Sequence, residues 1–407
     1  MTNWKRHSLS LVISETFAGD WGSDENADQI DVPCVRVADF NRETQRINDV
    51  VPTIRSYSEG KIASKHLKAG DILIEKSGGG EKTPVGSAIY FGGPEGFMCT
   101  NFIQVLRLKN GHDSRFWTYA LRMKYAQGGT NLLINQTTGI QNLDMREYFG
   151  QKFDVPDLDA QRRIADYLEK EISEMDAMIK EFERLAENLK TRKVLLTERI
   201  TAQDDLGNKY PTYPIGLLFQ KIGSGTTPKG DEWYTESEED GIPWVTTSEL
   251  REIDITETKK YVTKEAVEKV PGLRIHPAGS ILIAMYGATI GRFGKLEVPA
   301  SCNQACCVLS NPYKIDPDFF YASLWAKRDE LILFGSGGGQ PNIRQDVIKR
   351  FEMPVPPLED QKKIAERLQA ENAHMDGLIH DATALAALLK ERKTALITEV
   401  VTGRKEV

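Results

Sequence analysis

Glycine-rich stretches hold most of the side chains in this sequence that could do chemistry. The first half has EKSGGGEKTPVG (75–86) and QGGTNLLINQTTG (127–139), which bring Lys76, Lys82 and Gln136. The second half has GSGTTPKG (223–230), MYGATIGRFGK (285–295) and FGSGGGQPNIRQ (334–345), which bring Lys229, Arg292, Lys295, Gln340 and Arg344. Ammonium and guanidinium heads can reach phosphate oxygens or the acceptors of guanine, and carboxamides can pair with adenine edges. Solvated turns would use the same residues, and taken singly none of them decides between the two.

Signatures of an enzyme acting alone are missing. Gly60-Lys61 and Gly294-Lys295 are followed by Ile and Leu, not by the Ser or Thr of a phosphate loop. Asn311-Pro312-Tyr313 lacks the second proline of an adenine methyltransferase tetrapeptide. Asp254, Glu257 and Lys259 are spaced too closely for a nuclease and read as a charged turn. The six histidines show no metal spacing, and five cysteines without a CxxC pair read as reduced, buried thiols of a cytoplasmic protein. The expectation is no catalytic residue, no metal and no cofactor bound by this chain.

The elements that position these stretches follow from an internal duplication. Residues 155–193 align without a gap on 355–393, with seventeen of thirty-nine positions identical, among them Gln161/Gln361, Met175/Met375, Asp176/Asp376 and Arg192/Arg392. Unrelated segments would share about two or three. Each copy reads as one helix, with prolines at its start and Arg-Lys toward its end. In the first copy Ile164, Leu168, Met175, Ile179, Leu189 and Leu196 form an apolar seam; in the second it is Ile364, Leu368, Met375, Ile379, Leu389 and Leu396. At about 44 residues and roughly 65 Å, neither helix can bury its stripe alone, so the two are expected to pack antiparallel. Asn372 interrupts the second seam. It either fixes register or marks where the seam opens.

The blocks before each helix are related more faintly. VPCVRVADF (32–40) resembles IPWVTTSEL (242–250), and HLKAGDILI (66–74) resembles IHPAGSILI (275–283). Short apolar runs bounded by Gly and Pro read as strands. The expected fold is therefore α+β, with two mixed α/β domains at 1–155 and 205–355. Two helical regions at 156–204 and 356–407 form a coiled coil between them, with internal pseudo-two-fold symmetry. No run approaches the roughly 18 apolar residues of a membrane span. The net charge is −7 and no block is basic: 1–155 balances at zero and the other three blocks are negative. Any polyanion would have to be held by locally placed cations and by partners.

PxLxxQxxIAxxL at 156–168, PPLEDQKKIAERL at 356–368, the Met-Asp pair and Leu-Lys-x-Arg-Lys resemble the specificity subunit of type I restriction–modification systems, over essentially the whole chain. The first block departs from that pattern: it shows no counterpart of GSGTTPKG, and Cys34 stands where the second has Trp244. The resemblance implies two target recognition domains, each reading half of a split, asymmetric sequence on double-stranded DNA. It also implies that the helix pair docks two adenine-N6 methyltransferase subunits and, through them, motor–nuclease subunits. S-adenosylmethionine, ATP and Mg would then belong to those partners. Two other readings fit the composition: a coiled-coil scaffold whose globular blocks bind proteins, and a self-sufficient nuclease or methyltransferase.

Overall fold

A computed structural model describes residues 4–25, 29–80, 83–137, 139–237, 239–335 and 342–407. The chain forms two compact units, one of residues 1–183 with 383–407 and one of residues 184–382. Each unit thus takes about half of each long helix, where the sequence divides the chain at the helix starts. The reason is burial, because each half-helix covers its stripe with a half of the other copy.

In the first unit, the strands Ile13–Ala18, Ile103–Leu108, Ile72–Glu75 and Ala88–Tyr90 form an antiparallel sheet in that order. Ile72, Leu73 and Ile74 are all buried, so this run is covered on both faces. A smaller sheet joins Met98–Cys99 parallel to Ile30–Val35, which pairs antiparallel with Ile54–Tyr57. The second unit repeats the plan. Phe219–Ser224, Cys306–Pro312, Ile281–Ala284 and Phe293–Leu296 run antiparallel, with Ile253–Ile255 added at the edge. Ser301–Cys302 lies parallel to Gly241–Val245, which pairs with Tyr261–Thr263.

The long helices span Leu158–Ala202 and Leu358–Val401. Within the first unit, Lys393 Nζ donates to Asp176 at 2.6 Å and Lys390 Nζ to Glu183 at 2.8 Å. Within the second, Lys193 Nζ donates to both carboxylate oxygens of Asp376, at 2.7 and 2.8 Å. As one number rises its partner falls, so the two segments in each unit are antiparallel. Ile164, Leu168, Met175 and Leu396 are buried in the first unit's core, with Ile179 also buried and Leu389 half-buried. In the second unit Leu368 and Met375 are buried, while Ile364, Ile379, Leu189 and Leu196 are half-buried.

One identical residue fastens each globular domain to its helix. Gln161 and Gln361 are fully buried, and each donates Nε2 to the carbonyl of the preceding motif proline, Pro156 at 2.9 Å and Pro356 at 2.8 Å. Their Oε1 atoms accept the backbone N–H of Asp113 at 2.9 Å and of Asp316 at 2.7 Å. Those aspartates in turn receive N–H groups at the starts of the helices Ser114–Ala126 and Pro317–Gly335. A buried amide must have both ends satisfied, and glutamine is the residue that does so at this reach.

Candidate nucleic-acid interface

The structure supplies the counterpart that GSGTTPKG lacks in the sequence. The strand Phe219–Ser224 leads into Gly225, whose N–H donates to Cys306 O at 3.2 Å, and Thr226 N donates to Cys302 O at 2.8 Å. The strand Ile13–Ala18 leads into Gly19, whose N–H donates to Ile103 O at 3.0 Å, and Asp20 N donates to Cys99 O at 2.8 Å. Residues 18–25, AGDWGSDE, are therefore the equivalent loop. No side chain is common to the two turns after the glycine, which is why the match is invisible in sequence.

The carbonyl after that glycine is then claimed by an aromatic donor in both domains. Trp244 Nε1 donates to Thr226 O at 3.0 Å, and Tyr57 hydroxyl donates to Asp20 O at 2.8 Å. Cys34, at the strand position of Trp244, leaves the room that Tyr57 fills, and its Sγ lies 3.1 Å from the Tyr57 hydroxyl. Burial pushes the thiol of Cys34 up, with the Tyr57 hydrogen bond opposing it. The substitution of tryptophan by cysteine is thus compensated from a neighbouring strand.

The glycine itself is required by contact. A Cβ on Gly225 would stand 2.2 Å from Cys302 O and 2.3 Å from Asn303 O, both backbone atoms. Gly225→Ala is expected to destabilise the second unit by about 3 kcal/mol, since one of two paired segments must move. Urea denaturation checks this, and an unchanged midpoint would show that the segment at 301–303 yields freely.

In the first unit the two glycine-rich stretches meet in one small sheet. Ile134–Thr137 pairs with Ile140–Leu143, and that strand pairs with Ser77–Gly78. Gln136 faces Gln141 in register, and Asn142 faces Ser77. Asn135, Gln136 and Asn142 are exposed. This three-stranded sheet presents carboxamides, the side chains that pair with adenine edges in a groove. Lys76 stands at the base, half-buried, its amine held below the ordinary lysine range by burial. Beneath it Glu75 is buried, its carboxyl pushed up to about 7 by burial while Arg42, at 2.6 Å, opposes the shift. Lys82 lies outside the described residues.

In the second unit Lys229 is exposed on the GSGTTPKG loop, and Thr227 of that loop hydrogen-bonds Gln304 on the adjoining turn. Arg292 is half-buried after the turn Gly287–Thr289, and Arg344 is exposed with Asp346 at 3.5 Å. Gln340 lies outside the described residues. Lys295 leaves the set. It sits in the strand Phe293–Leu296, with Asp318 at 2.7 Å, Glu297 at 3.0 Å and Asp254 at 3.5 Å. Burial works against its charge, yet these carboxylates outweigh it and hold the amine above the ordinary range. A phosphate would have to displace three acids. Sequence reading misplaced Lys295 because it adjoins a glycine-rich run, and it passed over Trp21. That exposed ring stacks on Arg55, with the guanidinium carbon 4.5 Å from its centroid. A tryptophan inside AGDWGSDEN was the available signal.

No group of three His, Cys, Asp or Glu side chains among the described residues is placed to hold a metal ion. The description "Type I restriction modification DNA specificity domain" fits residues 14–184 and again 209–378. The chain belongs to the family of type I restriction–modification specificity subunits. Among its relatives are two from Methanocaldococcus jannaschii. The MjaVIII specificity subunit is 23% identical over 86% of this chain and 85% of its own length, and the putative MjaX specificity subunit is 23% identical over 100% and 94%. Two solved structures share the fold of this specificity subunit. A chain from a study of complex assembly and conformational transition in the type I R-M system has a TM-score of 0.79 at 15% identity, covering 100% of both chains. The HsdS subunit from Thermoanaerobacter tengcongensis has a TM-score of 0.61 at 14% identity, covering 99% of this chain and 97% of that one. No helix among the described residues is long and apolar enough to cross a membrane.

Proposed function

We propose that this specificity subunit reads a bipartite, asymmetric DNA target, one half-sequence per domain, and that its helix pair both spaces the two readers and docks adenine-N6 methyltransferase subunits. Motor–nuclease subunits join through those. The chain is non-catalytic and works in the cytoplasm, and S-adenosylmethionine, ATP and Mg are bound by its partners, which flip the target adenine out of the duplex. One observation carries this reading: two domains share a scaffold down to matched backbone hydrogen bonds, while the loops that leave it after Gly19 and Gly225 differ in sequence and in the aromatic donor that holds them. A shared frame with unlike loops suits two recognitions of the same kind and different content. The net charge of −7 fits partners that supply many of the phosphate contacts.

The test is a gel shift with duplex DNA carrying the adenine-methylation motif mapped in cells that express this chain with its methyltransferase subunit. Sequence-specific retention is expected with the subunit co-purified, and much weaker retention without it. Methyl transfer or cleavage by the purified chain alone would overturn the non-catalytic assignment.

A further inference from the structure

The second unit holds a cleft of about 620 Å³ on which Asp316, Asp318, Trp325, Glu366, Gln369 and Asn372 stand. The first unit shows what occupies the corresponding place there. Asp113 and Asp316 are equivalent by their shared bonds to a long-helix glutamine and to their own helix starts. Two residues further on, the first unit has Arg115 and the second has Asp318. The Arg115 guanidinium lies 2.7 Å from Asp166, 2.9 Å from Glu169 and 3.1 Å from Asp113. Two hundred positions on, Asp166 and Glu169 become Glu366 and Gln369, both on the cleft wall. The second unit has kept the acceptors and replaced their cation with another carboxylate.

Hydrogen-bond accounting within the cleft gives the same direction. Thr197 is fully buried on its wall, and its hydroxyl has no partner among the described residues. Asn372, where the first copy has the buried Ile172, lines the cleft with its Oδ1 likewise unpartnered. The cleft thus meets the seam at Asn372, between the buried Leu368 and Met375. The deeper lysines are engaged already, Lys193 with Asp376 and Lys295 with three carboxylates, while Lys362 stands exposed at the rim. Glu366 is exposed and forms no ion pair among the described residues. Trp325 takes the place of the half-buried Arg122 and gives one aromatic wall, with the Lys193 amine 5.1 Å from its ring centroid. A wall with surplus acceptors, negative charge and one aromatic surface suits a planar cation with several N–H donors.

We propose that this cleft binds a guanidinium group on a short alkyl stem, in the place that Arg115 takes in the first unit. A free alkylguanidine and an arginine side chain of a bound subunit present the same chemistry. Isothermal titration of the full chain with agmatine tests the site, with 4-aminobutylurea, a butylurea that keeps the terminal ammonium and loses only the guanidinium charge, as its counterpart of similar shape. One agmatine per chain is expected, and no 4-aminobutylurea. Asp318→Arg returns an arginine to its first-unit position and is expected to weaken agmatine roughly tenfold or more. Glu366→Gln, on an exposed helix face, keeps the fold and is expected to weaken it several-fold. Absence of agmatine binding, equal binding of 4-aminobutylurea, or unchanged affinity in both variants would overturn the proposal.

Repeating the titration on a complex with the methyltransferase subunit distinguishes the sources, and only this arm rests on the proposed function. Agmatine heat lost in the complex assigns the cleft to an arginine of that subunit, and heat retained assigns it to a free alkylguanidine. Failure of the complex to form would count against the docking proposal and leave the titration of the free chain standing as the test of the cleft.

Discussion

Deleting residues 177–183 together with 386–392 is expected to shorten the unread spacer of the methylated motif by about three base pairs and to leave both half-sequences unchanged. Seven residues of α-helix span on the order of 10 Å, and base pairs stack at roughly 3.4 Å. The two deleted segments face one another within the first unit, bracketed by Asp176–Lys393 and containing Glu183–Lys390. Removing both keeps every remaining seam residue opposite its present partner. A whole heptad also turns a helix by only about 20° from its starting face, so the loops keep their aim. DNA shortened by three base pairs turns by about a quarter of a revolution or more, and twisting it back costs a few kcal/mol. Methylation is therefore expected at the shortened motif and at reduced efficiency. Sequencing methylated adenines in cells that express the variant checks this. An unaltered spacer, or altered half-sequences, would remove the helix pair from its proposed role as a measure of distance.

What the sequence discloses and what it conceals follow from how each feature is built. Gln161 and Gln361 are legible because a buried amide with two fixed partners tolerates no substitute, so identity survives in both copies. The pairing of Asp176 with Lys393 and of Asp376 with Lys193 was legible as four repeated residues, but their meeting required the antiparallel register. The turn at Gly19 was not legible, since its likeness to Gly225 lies in backbone hydrogen bonds that leave no trace in residue type. Tyr57 and Trp244 do one task from different strands with different donors, which no alignment of positions can reveal. Lys295 was misread for the opposite reason. Its neighbours in sequence are glycines of a loop, while its neighbours in space are three acids.

The repeated ion pairs also make an unequal prediction from equal sequence. Lys393→Met is expected to destabilise the first unit by about 3 kcal/mol, and Lys193→Met the second by about 1 kcal/mol. The Lys393 side chain is 5% exposed and its Asp176 partner 20%, whereas Lys193 is 16% exposed and Asp376 59%. Burial pushes the Lys393 amine down, with the Asp176 hydrogen bond opposing that and Arg122 adding to it. Losing this amine leaves Asp176 half-desolvated and the Glu43 carbonyl, now 2.7 Å from Nζ, without its donor. Losing Lys193 leaves Asp376 to water. Amide hydrogen exchange resolves the opening of each unit separately, and equal losses in the two variants would show that burial is not what sets the magnitude. A double variant, Asp176→Asn with Lys393→Met, sharpens the point. If the cost lies in an uncompensated buried carboxylate, neutralising it recovers about half of the loss, so the two changes fall short of additivity by on the order of 1–2 kcal/mol. If the methylene stem of Lys393 carries the stability, the changes add.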